Sequence, residues 1–307
     1  MVYRDILKLP HYSCVETELY FGDARCCEIS IEAALVYRDL TDIPEAIDQY
    51  PQKIIDELIR TQAVITYNSL PFPEPEAPLV LVVSPHLDDA AYSIGGLLGR
   101  LALSCRIHIL TLFSVDPYTI LRKLKTNFTS LQRLRIAEEK AAASLINATT
   151  SQMGWNDALL RNYKNIEEPL QSDEPIEKYL EELKAHLPAN PFVILCPLGI
   201  SHVDHRLTRI IIDKMAPIDV PIFFYDDLPY ACDGFIEPEF FQSLTVKLNN
   251  YERDLKQKMI KMYVSQLSPG LTRRILKYRD GQERLWFSGN SKNDDLYQLL
   301  RENDQNG

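Results

Sequence analysis

The 307-residue chain has no stretch of about 18 consecutive apolar residues, the length a bilayer-spanning helix needs, and Met1-Val2-Tyr3-Arg4-Asp5 starts no apolar run of signal-peptide length. A membrane role is excluded on that reading, and a cytoplasmic location is expected. Basic charge is also scarce: 33 Lys and Arg stand against 43 Asp and Glu, for a formal net charge of -10. Such a chain repels phosphate backbones, and without a basic patch to offset this, nucleic acid is not an expected partner. The cysteines Cys14, Cys26, Cys27, Cys105, Cys196 and Cys232 form no C-x-x-C and have no zinc-framework spacing, so they read as reduced structural thiols. No internal repeat is present, and the polar tail after Asn290 is expected to fray.

The chain does hold one sharp break in composition. Pro71-Phe72-Pro73-Glu74-Pro75-Glu76-Ala77-Pro78 carries four prolines in eight residues, which blocks both a helix and a central strand. It divides a small module, residues 1–74, from a larger domain, residues 75–307. In the module, a helix is predicted from Ala33 to Leu40 with Ser30 or Glu32 near its start. A second is predicted to begin near Pro44-Glu45, and a third from Pro51 to Arg60 has Ile54, Ile55, Leu58 and Ile59 on one stripe. Ala63 to Tyr67 reads as a strand. Three helices and a small β ribbon resemble a winged helix, including the peptide-recognition modules attached to peptide-modifying enzymes; a purely structural extension is the competing reading.

Beyond the prolines, apolar runs alternate with helical segments, which predicts an α/β, Rossmann-like domain: a mostly parallel sheet with helices on both faces. Leu79 to Val83, Arg106 to Phe113, Phe192 to Cys196 and Val220 to Tyr225 are the predicted strands. Helices are predicted at about 89–104, 130–147, 175–187 and 205–215. Chemistry in such sheets sits in the loops at the carboxyl ends of strands.

Two of those loops are rich in ligand-type side chains. After the first strand comes Ser84-Pro85-His86-Leu87-Asp88-Asp89, where His86 and Asp89, three apart, can point at one ion and Asp88 lies beside it. Neighbouring carboxylates in a crevice raise one another's pKa unless a cation neutralises them. A second cluster, Gly199-Ile200-Ser201-His202-Val203-Asp204-His205-Arg206, follows another buried strand in the same relation. Three ligands drawn from His and Asp, with one position open to water, are the mark of a catalytic rather than a structural zinc site. The competing reading is a pair of helix caps.

These strings resemble the LmbE-like, or PIG-L, N-acetylglucosaminyl deacetylases. His86-Leu87-Asp88-Asp89-Ala90 is similar to the family's first signature and His202-Val203-Asp204-His205-Arg206 to its second. Fainter similarities lie at Arg135-Ile136-Ala137-Glu138, Trp155-Asn156-Asp157, Tyr225 to Tyr230 and Glu283-Arg284-Leu285-Trp286. The resemblance implies a zinc ion, or alternatively a ferrous one, on His86, Asp89 and His205, with Asp88 as general base. It further implies that His202 is a protonated partner stabilising the oxyanion and that Asp204 orients it. Arg135 and Asp157 would contact the substrate, with a helix-face ion pair to Glu138 or Glu139 and a solvated loop carboxylate as the respective alternatives. Ile200 stands where some relatives have a tyrosine that assists the oxyanion, so that contribution is not expected here. The expected partner is a small N-acylated molecule, and the expected reaction is hydrolysis of its acyl amide, most simply an N-acetyl, on a sugar-like or biosynthetic intermediate. The alternative is a peptide- or carrier-binding protein whose N-terminal module delivers a tethered substrate. Tyr225 to Tyr230 read either as an acidic rim, which would favour a cationic or neutral substrate, or as a plain surface loop. His108 and His186 read as structural.

Overall fold

A computed structural model describes residues 5–9, 12–15, 17–21, 24–40, 45–46, 49–61, 64–67, 70–215 and 220–288; the tail after Asn290 lies outside them. The N-terminal module holds β1 (Asp5–Lys8), β2 (Tyr12–Val15), β3 (Glu18–Phe21), β4 (Ala24–Glu28), α1 (Ile31–Asp39), β5 (Glu45–Ala46), α2 (Gln52–Arg60) and β6 (Val64–Tyr67). Ser30 caps α1 by accepting from the Ala33 amide at 3.1 Å. Glu57 of α2 in turn accepts from the Ser30 amide at 2.6 Å and its hydroxyl at 2.8 Å, which ties the two helices together.

Among the described residues the helix predicted to begin near Pro44-Glu45 is not found; Pro44 itself lies outside them. Glu45–Ala46 is instead a strand paired antiparallel with Asp5 and Ile6, on the edge of β1 that β6 leaves open. An open strand edge outweighs the modest helix preference of two residues. Among the described residues the module therefore has two helices and two three-stranded antiparallel sheets, and the winged-helix likeness is not confirmed. Leu19, Ala33, Tyr37, Ile55 and Leu58 form its own small core. Leu9, Tyr67 and Leu70 are instead buried in the core of the larger domain, where Asn147 donates to the Leu70 carbonyl at 2.7 Å. Asn147 makes that turn at φ 53°, a left-handed conformation asparagine tolerates.

Seven strands make the main sheet: β7 (Leu79–Ser84), β8 (Arg106–Thr111), β9 (Thr149–Gln152), β10 (Val193–Pro197), β11 (Ile222–Tyr225), β12 (Phe241–Val246) and β13 (Glu283–Ser288). Their spatial order is β12-β13-β11-β10-β7-β8-β9. Pairings from β11 through β9 are parallel, and only β13 runs the other way, so its pairings with β11 and β12 are antiparallel. The helices are α3 (Asp89–Leu101), α4 (Phe128–Ser144), α5 (Ile176–His186), α6 (Val203–Met215), α7 (Asn250–Lys261) and α8 (Pro269–Lys277). Alternate residues of each strand divide between two cores. Val80, Val82, Ile107 and Leu195 pack with residues of α3, α4 and α7, whereas Leu81, Val83, Ile194 and Cys196 pack with α5 and α6. Helices thus cover both faces, as expected for a strand core with no polar side.

Strand order reverses between β7 and β10, because the chain winds outward through β8 and β9 on one side and through β11 on the other. That crevice is the ligand position of a doubly wound sheet. α3, which starts there, breaks at Ile94 (φ -133°, ψ 21°), and Glu283 of β13 accepts from the freed amides of Gly96 and Leu97 at 3.0 and 2.6 Å. A Cβ at Gly96 would lie 2.4 Å from a Leu248 methyl, so a larger residue there would require the Leu248 side chain to move. Among the described residues no helix is long and apolar enough to cross a membrane.

Candidate metal centre

The two histidine clusters meet in the crevice. β7 ends in a turn fixed by Ser84, whose hydroxyl donates to the His86 carbonyl at 2.6 Å and accepts from the Ala90 amide at 3.3 Å. The turn places His86, Asp88 and Asp89 at the start of α3, all buried. β10 leads through Gly199 (φ 92°) and Ser201 (φ 54°) into α6, which carries Asp204 and His205 inward.

Each of two imidazoles is gripped from behind by carboxylates. His205 Nδ1 lies 2.9 Å from Asp227 Oδ1; a carboxylate only accepts, so a proton sits on Nδ1 and Nε2 is the nitrogen that can meet a cation. His86 Nε2 lies 3.0 Å from Asp204 Oδ2 and 3.3 Å from Asp157 Oδ2, so a proton held there makes Nδ1 the nitrogen that can meet a cation. Both free nitrogens face one atom: Asp89 Oδ2 is 3.1 Å from His86 Nδ1 and 3.1 Å from His205 Nε2. His205 Nε2 is nevertheless buried without a hydrogen-bond partner. Three donor atoms of the types that hold divalent ions thus converge, lying within 4.8 Å of one another. Burial works against a charged His205, but Asp89 and Asp227 outweigh it and push its pKa up to about 9; the local field favours positive charge at this point. His86, Asp157, His202 and Asp204 form a second close group. Its carboxylates are already committed: Asp204 accepts from Arg161 at 2.8 Å and the Ala158 amide at 3.0 Å, and Asp157 from the Leu159 amide at 2.8 Å. The orphaned nitrogen of His205 makes the first group the better cation site.

His202 departs from expectation. Its Nδ1 accepts from the Asp204 backbone amide at 3.0 Å, so the ring proton is on Nε2 and the imidazole is neutral. Burial and then the neighbouring His86 and His205 hold its pKa well below the usual histidine value. The Asp204 carboxylate is 3.9 Å from His202 and serves His86 instead, because Arg161 and the Ala158 amide draw it to that side.

Arg135, expected at the substrate or in a surface pair, is fully buried and paired with Asp116, with Asp88 Oδ2 3.6 Å away. Glu138 is not its partner: that carboxylate accepts from the Ser265 amide at 2.9 Å and hydroxyl at 2.6 Å. Arg135 and Asp157 both line the cavity over the centre, about 280 Å³ in volume, together with Asp88, His202 and Tyr230. Asp88 itself, at the start of α3, makes no side-chain capping bond. Burial raises its pKa, with Arg135 opposing.

Sequence reasoning missed Arg161 and Asp116, and gave Asp227 only a place on a rim or a surface loop. Asp227 stands where the strand pattern already pointed, directly after β11, but an acidic rim was the expectation there. Asp226 and Asp227 are in fact buried and fully partnered, so they lend the mouth no acidity. No local pattern marks Arg161 or Asp116. His108 and His186 are structural: His108 is bracketed by the hydroxyls of Thr149 and Ser151, 2.8 Å from each, and His186 Nδ1 meets the Glu182 carbonyl at 2.8 Å.

Residues 81–216 match the family described as PIG-L: GlcNAc-PI de-N-acetylase. A 2'-N-acetylparomamine deacetylase of Streptomyces fradiae is 31% identical over 160 residues, 49% of this chain and 57% of that protein, so the chain spans little more than half of that relative's length. Among solved structures, an antimicrobial pseudoaglycone deacetylase is similar with a TM-score of 0.56 at 21% identity, over 69% of this chain and 97% of its own. The zinc-inhibited form of teicoplanin deacetylase is similar with a TM-score of 0.56 at 20% identity, over 69% and 100%. These two likenesses establish the shared fold.

Proposed function

We propose, from the premise that residues 81–216 are a PIG-L domain, that the chain is a divalent-metal-dependent hydrolase removing an N-acyl group, most simply N-acetyl, from an amine-bearing, sugar-like small molecule. One observation carries the reading: two imidazole nitrogens and a carboxylate oxygen converge beside a second carboxylate, Asp88, whose ion-pair partner is Arg135. His86, Asp89 and His205 would hold the ion, with zinc the expected metal and ferrous iron the alternative. When bound, such an ion supplies Lewis acidity to the acyl carbonyl and to the attacking water.

The chain's own groups do the rest. Asp88 takes a proton from water as the C–O bond forms and returns it to the nitrogen as the C–N bond breaks, giving carboxylic acid and free amine. Its raised pKa suits both halves of that transfer. The Nε2–H of His202 donates to the developing oxyanion. Asp227 and Asp204 hold the two ligand imidazoles in the right tautomer. The name of the Streptomyces fradiae relative supports an N-acetylated amino sugar as substrate. A cytoplasmic setting belongs to the same reading.

The test is acetate release from N-acetylated amino sugars by protein whose metal content has been measured, with and without chelator. We expect activity to vanish on chelation and return on adding zinc or ferrous ion; equal rates after complete metal removal would sink the reading.

A further inference from the structure

The cavity over the metal centre joins two chemistries. Its inner wall is polar and incompletely satisfied. The Tyr92 hydroxyl is buried, lines the cavity and has no hydrogen-bond partner. Gln266 spends its amide nitrogen on the Tyr118 carbonyl at 3.0 Å and the Ser265 hydroxyl at 2.9 Å, which leaves its side-chain oxygen to accept. A buried donor without a partner costs folding energy that a ligand's polar group would recover.

The outer wall is of the opposite kind. Tyr118 is 53% exposed and Leu159 41% exposed, and both line the same cavity as Ile166, Pro229, Leu267 and Leu271. Large apolar side chains left in water at the mouth of a polar pocket mark a ligand surface rather than a random outcrop. Neither wall offers an uncommitted cation, since Arg135 is already shared by Asp88 and Asp116.

We propose that the substrate is amphipathic. Its N-acyl amine is carried on a hydroxylated ring that hydrogen-bonds Tyr92 and Gln266, and an apolar, uncharged substituent on that ring lies across Tyr118, Leu159 and Leu271. The inference rests on the deacetylase reading and names the substrate class for that same site.

The experiment pairs phenyl and methyl β-glycosides of N-acetylglucosamine as substrates of the metal-loaded enzyme, and titrates the corresponding free-amine glycosides calorimetrically. We expect the phenyl compounds to bind about tenfold more tightly and to have a KM lower by about the same factor, which is what shielding some 50–60 Å² of apolar surface yields. Leu159→Ser and Tyr118→Ser should each cut that ratio to about threefold or less. Equal affinity for phenyl and methyl amines, no measurable binding of either, or a ratio unmoved in both variants overturns the proposal. A phenyl preference in binding without acetate release from either glycoside supports the mouth and counts against the hydrolase reading, so the two failures are told apart.

Discussion

Two Asp-Asp pairs stand at the carboxyl ends of strands in one sheet, Asp88-Asp89 after β7 and Asp226-Asp227 after β11, and all four side chains are buried. In sequence they look equivalent. Their partners separate them. Asp226 accepts from Trp286 Nε1 at 2.7 Å, from the Tyr278 hydroxyl at 2.8 Å and from Arg284 Nε at 2.9 Å. Asp227 accepts from the amides of Ile200 and Gly199 at 2.6 and 2.8 Å and from His205. Asp89 accepts from the His86 amide at 2.8 Å and faces two imidazole nitrogens, and Asp88 has one guanidinium at 3.6 Å. Burial alone therefore does not mark a reactive carboxylate; what sets the first pair apart is the unfilled set of partners of Asp88, which can take a proton without breaking something else, and the two imidazoles that meet at Asp89.

The widest gap should open between members of the first pair. Asp88→Asn removes the proton acceptor and leaves the ligand atoms in place, so kcat should fall by about a thousandfold or more while metal content and melting temperature hold. Asp89→Ala should lose metal and activity together. Mass-spectrometric metal analysis beside acetate kinetics distinguishes them, and a metal-replete, active Asp89→Ala would break the contrast. Asp226→Ala should act on stability instead. It strands the indole N–H of Trp286 and leaves Arg284, which also pairs with Glu237, without its buried counter-ion. A loss of about 3 kcal/mol in denaturant unfolding is expected, with metal bound per folded molecule unchanged.

How much of this was legible beforehand follows the range of the interactions. Continuous apolar strands and the two loops after them were readable because a buried parallel strand has a local signature, and the helices at 128–144 and 203–215 lie within a few residues of their expected bounds. The strand at Glu45–Ala46 was not, since its only cause is an open edge on β1 some forty residues earlier. The same applies to the support of the centre. His86 and Asp204 are 118 residues apart, and His205 and Asp227 are 22 apart, so sequence assigned Asp204 to its neighbour His202 when the fold gives its carboxylate to His86. Ligand types could be read from short strings; which carboxylate stands behind which imidazole could not.

The finest test of the comparison is Asp227→Asn, which stays in the second pair but touches the first. An amide oxygen can take the place of Oδ2 and accept from both backbone amides, or the place of Oδ1 and accept from His205 Nδ1; in the first case the loop from Gly199 should keep its path and the protein its fold. The negative charge that strengthens the imidazole as a donor is lost, and the amide's own N–H group is turned toward the Gly199 and Ile200 amides or toward the ring, where it can only compete. Metal affinity should fall by about 10- to 100-fold, with kcat recovered in large part at saturating metal. A titration of apoprotein by competition with a chelator of known affinity reads this directly. If affinity is unchanged and only melting temperature drops, Asp227 belongs with Asp226 as a fold residue, and the line between the two pairs runs where the partner counts alone would draw it.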